Sequence, residues 1–170
     1  MSARHAEALL TVAGTGSQEG RLRELATAWK LDVNFVGHVQ HDDLPALYND
    51  HDIFINASRV DNFPGALVEA SASGLAIVST SPGGIPFMYR HEKDALLVEP
   101  GDWQGLADAA ERLLASDALA RLLISNSLAV ARACEWTAVR REVYASYAVD
   151  CGDRVAPGVE ACAPEDNIRV

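Results

Sequence analysis

Ser58-Arg-Val-Asp61-Asn62-Phe63-Pro64-Gly65-Ala66-Leu67-Val68-Glu69-Ala70 sets two carboxylates eight positions apart, astride a loop that turns into a helix. Pro64 fixes φ and lacks the donor that a first-turn residue leaves unpaired, which predicts it as the first helical position. Asp61 and Asn62 then precede the helix, and Glu69 sits about one turn inside it. The backbone N–H groups of Gly65, Ala66 and Leu67 are the expected unpaired donors of a helix start. Such a start attracts phosphate through those groups and through its partial positive charge. A carboxylate on each side is placed to hold sugar hydroxyls. The combination suits a ligand that joins phosphate to a polyol, such as a nucleotide-sugar.

Working outward, Ala8–Ala13 is an apolar run ending in Gly14-Thr-Gly16, as a buried parallel strand would. Ser17 is placed to cap a helix in which Leu22, Leu25, Ala26 and Trp29 recur at helical spacing. Val33–Val36 reads as a second strand stopped by Gly37. Asp42 or Asp43 starts a helix carrying Leu44, Leu47 and Tyr48, and Asp52–Ile55 is a third strand. After a helix ending at Ala72, Leu75–Ser79 and Ala95–Val98 read as the fourth and fifth strands. Asp102 caps a helix with Leu106, Ala109, Ala110, Leu113 and Leu114 on one side. Two more helices follow, around Leu119–Ala133 and Thr137–Ala148.

Strands alternating with helices mean parallel βαβ units, with ligands bound beyond the strand carboxyl ends. Gly14, Gly37, Ser58 and Gly83 all fall at such ends and are expected to converge on one crevice. Asp150–Val170 lacks periodicity and mixes Pro, Gly, acids and two Cys. It is expected to be a mobile tail, which divides the chain into a domain over 1–149 and a tail over 150–170.

At 170 residues the chain suits one domain with a substantial core. Hydrophobic residues at 49% and charged ones at 22% describe a globular chain, not a disordered one. The net charge of −10 argues against nucleic acid or anionic membrane as a general partner. No apolar run approaches the roughly 20 residues that cross a bilayer. The first residues are too charged and too short a prelude for a signal peptide. Cys134, Cys151 and Cys162 are odd in number and widely spaced, which predicts reduced thiols in the cytoplasm. His38 and His41 are expected to face solvent, and no metal site is expected around them. In Gly14-Thr-Gly16 the third glycine of a nicotinamide fingerprint is replaced by Glu19. The segment reads instead as a tight turn that lets a ligand or the sheet approach closely.

The Asp61/Glu69 segment stands in an ordered series with Val12-Ala-Gly14-Thr-Gly16, Val33-Asn-Phe-Val-Gly37, Leu44-Pro-Ala-Leu-Tyr48 and Asp52-Ile-Phe-Ile55. Gly74-Leu-Ala-Ile-Val78, Gly83-Gly84-Ile85-Pro86, Ala95-Leu-Leu-Val98-Glu-Pro-Gly101-Asp102 and Trp136…Tyr147 complete it. Together they resemble the C-terminal, donor-binding domain of the GT-B glycosyltransferases of family 4 (glycosyl transferases group 1). The likeness runs from about Leu9 to Tyr147, and the order of its elements makes it specific.

The resemblance implies an α/β fold: a Rossmann-like parallel sheet with flanking helices, the C-terminal half of a GT-B fold, lacking its first strand and helix. In the family those elements carry an Arg and a Lys that bind the diphosphate. Here Arg21, Arg23, Lys30 and Arg59 are the basic residues near the expected strand ends, and none matches those positions by motif. The implied activity is that of a retaining glycosyltransferase moving a sugar from a nucleoside-diphosphate sugar to an acceptor. That chemistry needs no cofactor, metal or protein nucleophile.

By the same resemblance Asp61 and Glu69 are the catalytic-site acids. Glu69 would accept hydrogen bonds from both ribose hydroxyls. Asp61 stands where the family's first Glu touches the transferred sugar, one methylene shorter. Asn62, Phe63, Pro64, Gly65, Ala66 and Leu67 would shape the loop and bind the donor, with Gly14, Gly16 and Val39 completing its pocket. Ser81–Pro86 reads as a structural turn, with Phe87 where the family carries Glu, and with Met88 and Tyr89 packing beneath. The expected partners are a nucleotide-sugar, an acceptor such as a glycan or lipid-linked sugar, and an acceptor domain supplied in cis or in trans. The expected location is cytoplasmic, with peripheral contact to the inner membrane through that domain. Two alternatives accompany this reading: a non-catalytic nucleotide-sugar-binding or partner-dependent module, and a GT-B nucleotide-sugar epimerase.

Overall fold

Among the described residues five short strands, all parallel, are laid down in two sheets. The computed structural model describes residues 8–150, without the side chains of Arg141, Ala148, Val149 and Asp150. The expected tail lies outside the described residues, save Asp150, which ends the last helix.

The first sheet pairs β1 (Leu10–Ala13) with β2 (Val33–Gly37), and α1 (Glu19–Ala28) connects them. A 3-10 turn over His41–Asp43 leads into α2 (Leu44–Asn49). The second sheet has the order β3 (Ile53–Asn56), β4 (Ala76–Thr80), β5 (Leu96–Val98). Ile53 lies opposite Ala76, and Val78 opposite Leu96. The helix α3 (Gly65–Ala72) joins β3 to β4, and the single turn α4 (Ile85–Met88) lies between β4 and β5. The long helices α5 (Trp103–Leu114) and α6 (Asp117–Ala133) follow. Among the described residues no strand pairs with the free edges of β1 and β3. Among the described residues the break falls between β2–β1 and β3–β4–β5.

β4 is buried along its whole length, as a central strand covered on both faces must be. Alternate residues of the second sheet feed two clusters. On one face Phe54 and Ile77 meet Tyr48 of α2, Leu67 and Ala70 of α3, and Ile85 and Tyr89. On the other, Ile53, Val78 and Leu96 meet Leu106, Ala109 and Leu113 of α5 and Leu123 of α6. Asp102 caps α5 as its sequence predicts, accepting from the Gly105 N–H at 2.8 Å. Leu114, expected on the buried side, remains 37% exposed at the helix end.

The first sheet departs from expectation. No residue of β1, α1 or β2 is buried, and Leu10, Leu22 and Trp29 of that unit are all exposed. Two parallel strands with one helix provide only one covering layer, so among the described residues the apolar stripe of α1 finds no core. Nor does Ser17 cap α1. Gln18 is the flanking residue, with no side-chain cap, and the Glu19 N–H donates to the Gly16 carbonyl instead. Likewise neither Asp42 nor Asp43 caps α2 through its side chain.

The last helix, α7 (Trp136–Asp150), belongs to a separate unit beginning at Ala133, within which Trp136 and Tyr144 meet edge to face at 6.2 Å. Among the described residues no single helix is long and apolar enough to cross a membrane.

Candidate functional site

The junction from β3 to α3 holds the acidic segment. Pro64 is not the first helical residue: with φ −79° and ψ 65° it flanks α3, which starts at Gly65. That ψ swings the Phe63 carbonyl onto the Gly65 N–H at 2.8 Å, an inverse γ-turn. The Leu67 and Val68 N–H groups both donate to the Pro64 carbonyl, at 3.0 and 3.2 Å. Gly65 and Leu67, expected as unpaired donors, therefore already have backbone acceptors. Of the three, only the Ala66 N–H has no acceptor among the described residues. Asp61 is half-buried, Asn62 is exposed, and Phe63 stands 66% exposed at the lip.

The loop after β4 seats this segment. The Gly84 N–H donates to the Asp61 carbonyl at 2.8 Å. A Cβ at Gly83 would collide with the Asp61 carbonyl, and one at Gly84 with the Asn62 carbonyl. Gly83 also has φ +53°, in the left-handed region that favours glycine. The turn at Ser81–Pro86 is thus structural, as its sequence suggests, and the structure it serves is the acidic loop.

Beneath the loop runs a polar chain that sequence reasoning missed. Ser58 Oγ donates to Asn56 Oδ1 at 2.8 Å, and Asn56 Nδ2 donates to Ser79 Oγ at 3.0 Å. Thr80 Oγ1 donates to the Ser58 carbonyl at 2.7 Å. Ser79 and Thr80 are buried, so these bonds are shielded and fix where the chain leaves β3. The available signal was the run Ser79-Thr80-Ser81 closing an otherwise apolar strand.

Glu69 lies half-buried on α3, and its carboxylate is not free-standing. Tyr48 Oη donates to Glu69 Oε2 at 3.2 Å. The Tyr48 ring is 8% exposed and lies edge-on to Phe54 at 5.9 Å. Burial, then the charge of Glu69 and the hydrogen bond to it, push the phenol pKa up to about 12. Tyr48 therefore stays protonated, and remains a donor, throughout the neutral range. The sequence showed Tyr48 as a member of a helical apolar stripe and of the Leu44–Tyr48 motif, not as a partner of Glu69.

The remaining expected residues gather elsewhere. The Gly14 N–H donates to the Gly37 carbonyl at 2.6 Å, closing the carboxyl end of the first sheet, with φ +112° and +70° at the two glycines. Gly16 is exposed and Val39 half-buried beyond the same end. Gly14 and Gly37 therefore form one group and Ser58, Asp61 and Gly83 another. No hydrogen bond among the described residues joins the two groups. A different link ties the sheets lower down. His51 Nδ1 donates to the Leu47 carbonyl at 2.7 Å, and Nε2 is hydrogen-bonded to Thr11 Oγ1 at 2.8 Å.

His38 and His41 are exposed. Of the basic residues, Arg23 pairs with Glu19 at 2.8 Å and lies 4.4 Å above the Phe35 ring. Arg59 lines an open cleft of about 230 Å³ with Ala57, Thr80, Gly101, Trp103 and Leu106. That cleft lies on the α5 side of the second sheet, whereas Glu69 lies on the side of α2 and α3.

Residues 1–116 match the family described as glycosyl transferases group 1. The chain belongs to that family. Among relatives, it is 32% identical over 118 residues to the 2-deoxystreptamine N-acetyl-D-glucosaminyltransferase of Niallia circulans, covering 68% of this chain and 30% of that protein. Its fold is that of HepE from Anabaena, solved in complex with UDP-glucose: TM-score 0.73, 22% identity, 82% of this chain and 40% of that one. It is also that of the C-terminal domain of a group 1 glycosyl transferase, LpcC, from Francisella tularensis: TM-score 0.69, 23% identity, 78% of this chain and 72% of that one. This group 1 glycosyltransferase chain thus spans less than half the length of the curated relative and of HepE, and most of the isolated domain.

Proposed function

We propose that this chain is the C-terminal, nucleotide-sugar-binding part of a retaining family 4 glycosyltransferase. In the whole enzyme a sugar would pass from a nucleoside-diphosphate donor to an acceptor held by a further domain. The observation that carries the reading is Glu69: a carboxylate aligned by a buried phenol, beside the helix start that leaves the Ala66 N–H open. An acceptor-only carboxylate recognises ligand donors such as vicinal ribose hydroxyls. The Ala66 N–H and the amino end of α3 favour the phosphates. Asp61, held from below by Gly84, would meet the transferred sugar, and its loop residues Asn62, Phe63 and Pro64 would shape that pocket. The likeness to the LpcC domain and to HepE with UDP-glucose supports the donor-binding role. A cytoplasmic location, with membrane contact through a further domain, belongs to the same reading and rests on the family resemblance and on the odd number and wide spacing of the cysteines.

One observation favours a partner-dependent module over a chain active by itself. The parallel sheet is in two pieces, and its first βαβ unit has no buried residue. Titration calorimetry of the chain with UDP, GDP and ADP tests the donor site. Binding of one of them at micromolar to millimolar concentration is expected, and no heat with any of the three defeats the reading. A donor-hydrolysis assay then separates turnover from binding.

A further inference from the structure

We infer that Tyr48 is a positioning residue for nucleotide recognition, setting the Glu69 carboxylate to receive a ribose diol. The inference rests on the donor-site reading above and deepens it.

The two residues come from different helices, Tyr48 from α2 and Glu69 from α3, so their contact is made by the tertiary fold. Tyr48 is the fixed member. It belongs to the buried cluster that includes Leu67, Ala70 and Ile77, and its ring meets Phe54 edge to face, whereas Glu69 is half-exposed and would otherwise sample several rotamers. Oη donates to Oε2 at 3.2 Å, which leaves Oε1 and one lone pair of Oε2 as acceptors. A vicinal diol needs two acceptors side by side, and the carboxylate retains them. Because the phenol does not ionise near neutrality, the alignment persists across the working range of pH. Tyr48 is in turn anchored at the end of α2. Its carbonyl accepts the His51 N–H at 3.0 Å, and His51 reaches Thr11 of β1.

The experiment uses the tightest binder among UDP, GDP and ADP, together with its 2′,3′-dideoxy form. Tyr48→Phe keeps the ring and removes only the donor. It is expected to weaken the ribonucleotide by about fivefold, the range of one hydrogen bond, and to leave the dideoxy form unchanged. Glu69→Ala is expected to weaken the ribonucleotide tenfold or more, and Tyr48→Phe added to it should cost nothing further. If Glu69→Ala weakens binding while Tyr48→Phe does not, the ribose reading stands and the positioning role is overturned. Equal loss for the ribo and dideoxy ligands in Tyr48→Phe also overturns it, because the hydroxyl then acts on the fold alone. No loss in Glu69→Ala, or no binding of any of the three nucleotides, removes the ribose reading and this inference with it. Should Tyr48→Phe unfold, a fluorotyrosine at position 48 supplies the same test. Its more acidic phenol ionises as pH rises, so ribonucleotide affinity should fall over a range where the natural chain is flat. A flat profile overturns the proposal.

Discussion

The Gly84 N–H donates to the Asp61 carbonyl at 2.8 Å, so the loop after β4 carries the acidic loop after β3 on its backbone. The two glycines are needed for that approach, since a Cβ on either would strike the carbonyl above it. Gly84 has φ −77°, a conformation open to any residue, so alanine there tests the close approach without added backbone strain. Gly84→Ala is expected to destabilise the chain by ~1–3 kcal/mol, the usual cost of overpacking. A urea midpoint within error of the natural chain would show that the acidic loop is not seated in this way.

Glu69 should govern affinity for the nucleotide itself. Glu69→Ala is expected to raise the dissociation constant for the bound nucleoside diphosphate tenfold or more, about 1.4 kcal/mol. Calorimetry reads this directly, and an unchanged constant refutes the ribose assignment.

Asp61 should govern the sugar and not the nucleotide. Asp61→Ala is expected to leave the nucleoside diphosphate constant within about twofold and to weaken the matching nucleotide-sugar by roughly tenfold, the loss of one charge-assisted hydrogen bond. Equal loss for both ligands contradicts the separation of roles. Asp61→Glu, which restores the methylene present in the family pattern, reports whether the shorter side chain suits a differently placed hydroxyl.

Acid stability should centre on Asp94. This carboxylate is 1% exposed, and Arg90 supplies three donors to it: Nε at 2.7 Å, Nη2 at 2.9 Å and the backbone N–H at 3.0 Å. The Arg90 side-chain hydrogen bonds hold its pKa below the ordinary aspartate range, against the opposing effect of burial. A depressed folded pKa means stability that is complete above the unfolded value of about 3.9 and lost as pH falls through the folded one. Asp94→Asn is therefore expected to destabilise the chain by roughly 1–2 kcal/mol at pH 7 and to flatten the stability profile below pH 4. An unaltered slope of stability against pH in that acid range would exclude Asp94 as its source.

Local chemistry determined a good deal by itself. The alternation of apolar runs with helical stripes specified five parallel strands, and Asp102 announced the cap of α5, because pattern and capping act within a few residues. The order of motifs likewise identified the family, since it is a property of the chain and not of its packing. Tertiary structure decided what depends on neighbours distant in sequence. The apolar stripe of α1 has a regular period, yet burial requires a second layer, and none among the described residues covers it. Pro64 looked like a helix start, yet its ψ closes a turn that engages the Gly65 N–H. Above all, the pairing of Tyr48 with Glu69 spans 21 residues, a separation no local pattern encodes. Which carboxylate gains a fixed donor is settled only when two helices pack on the same face of the sheet.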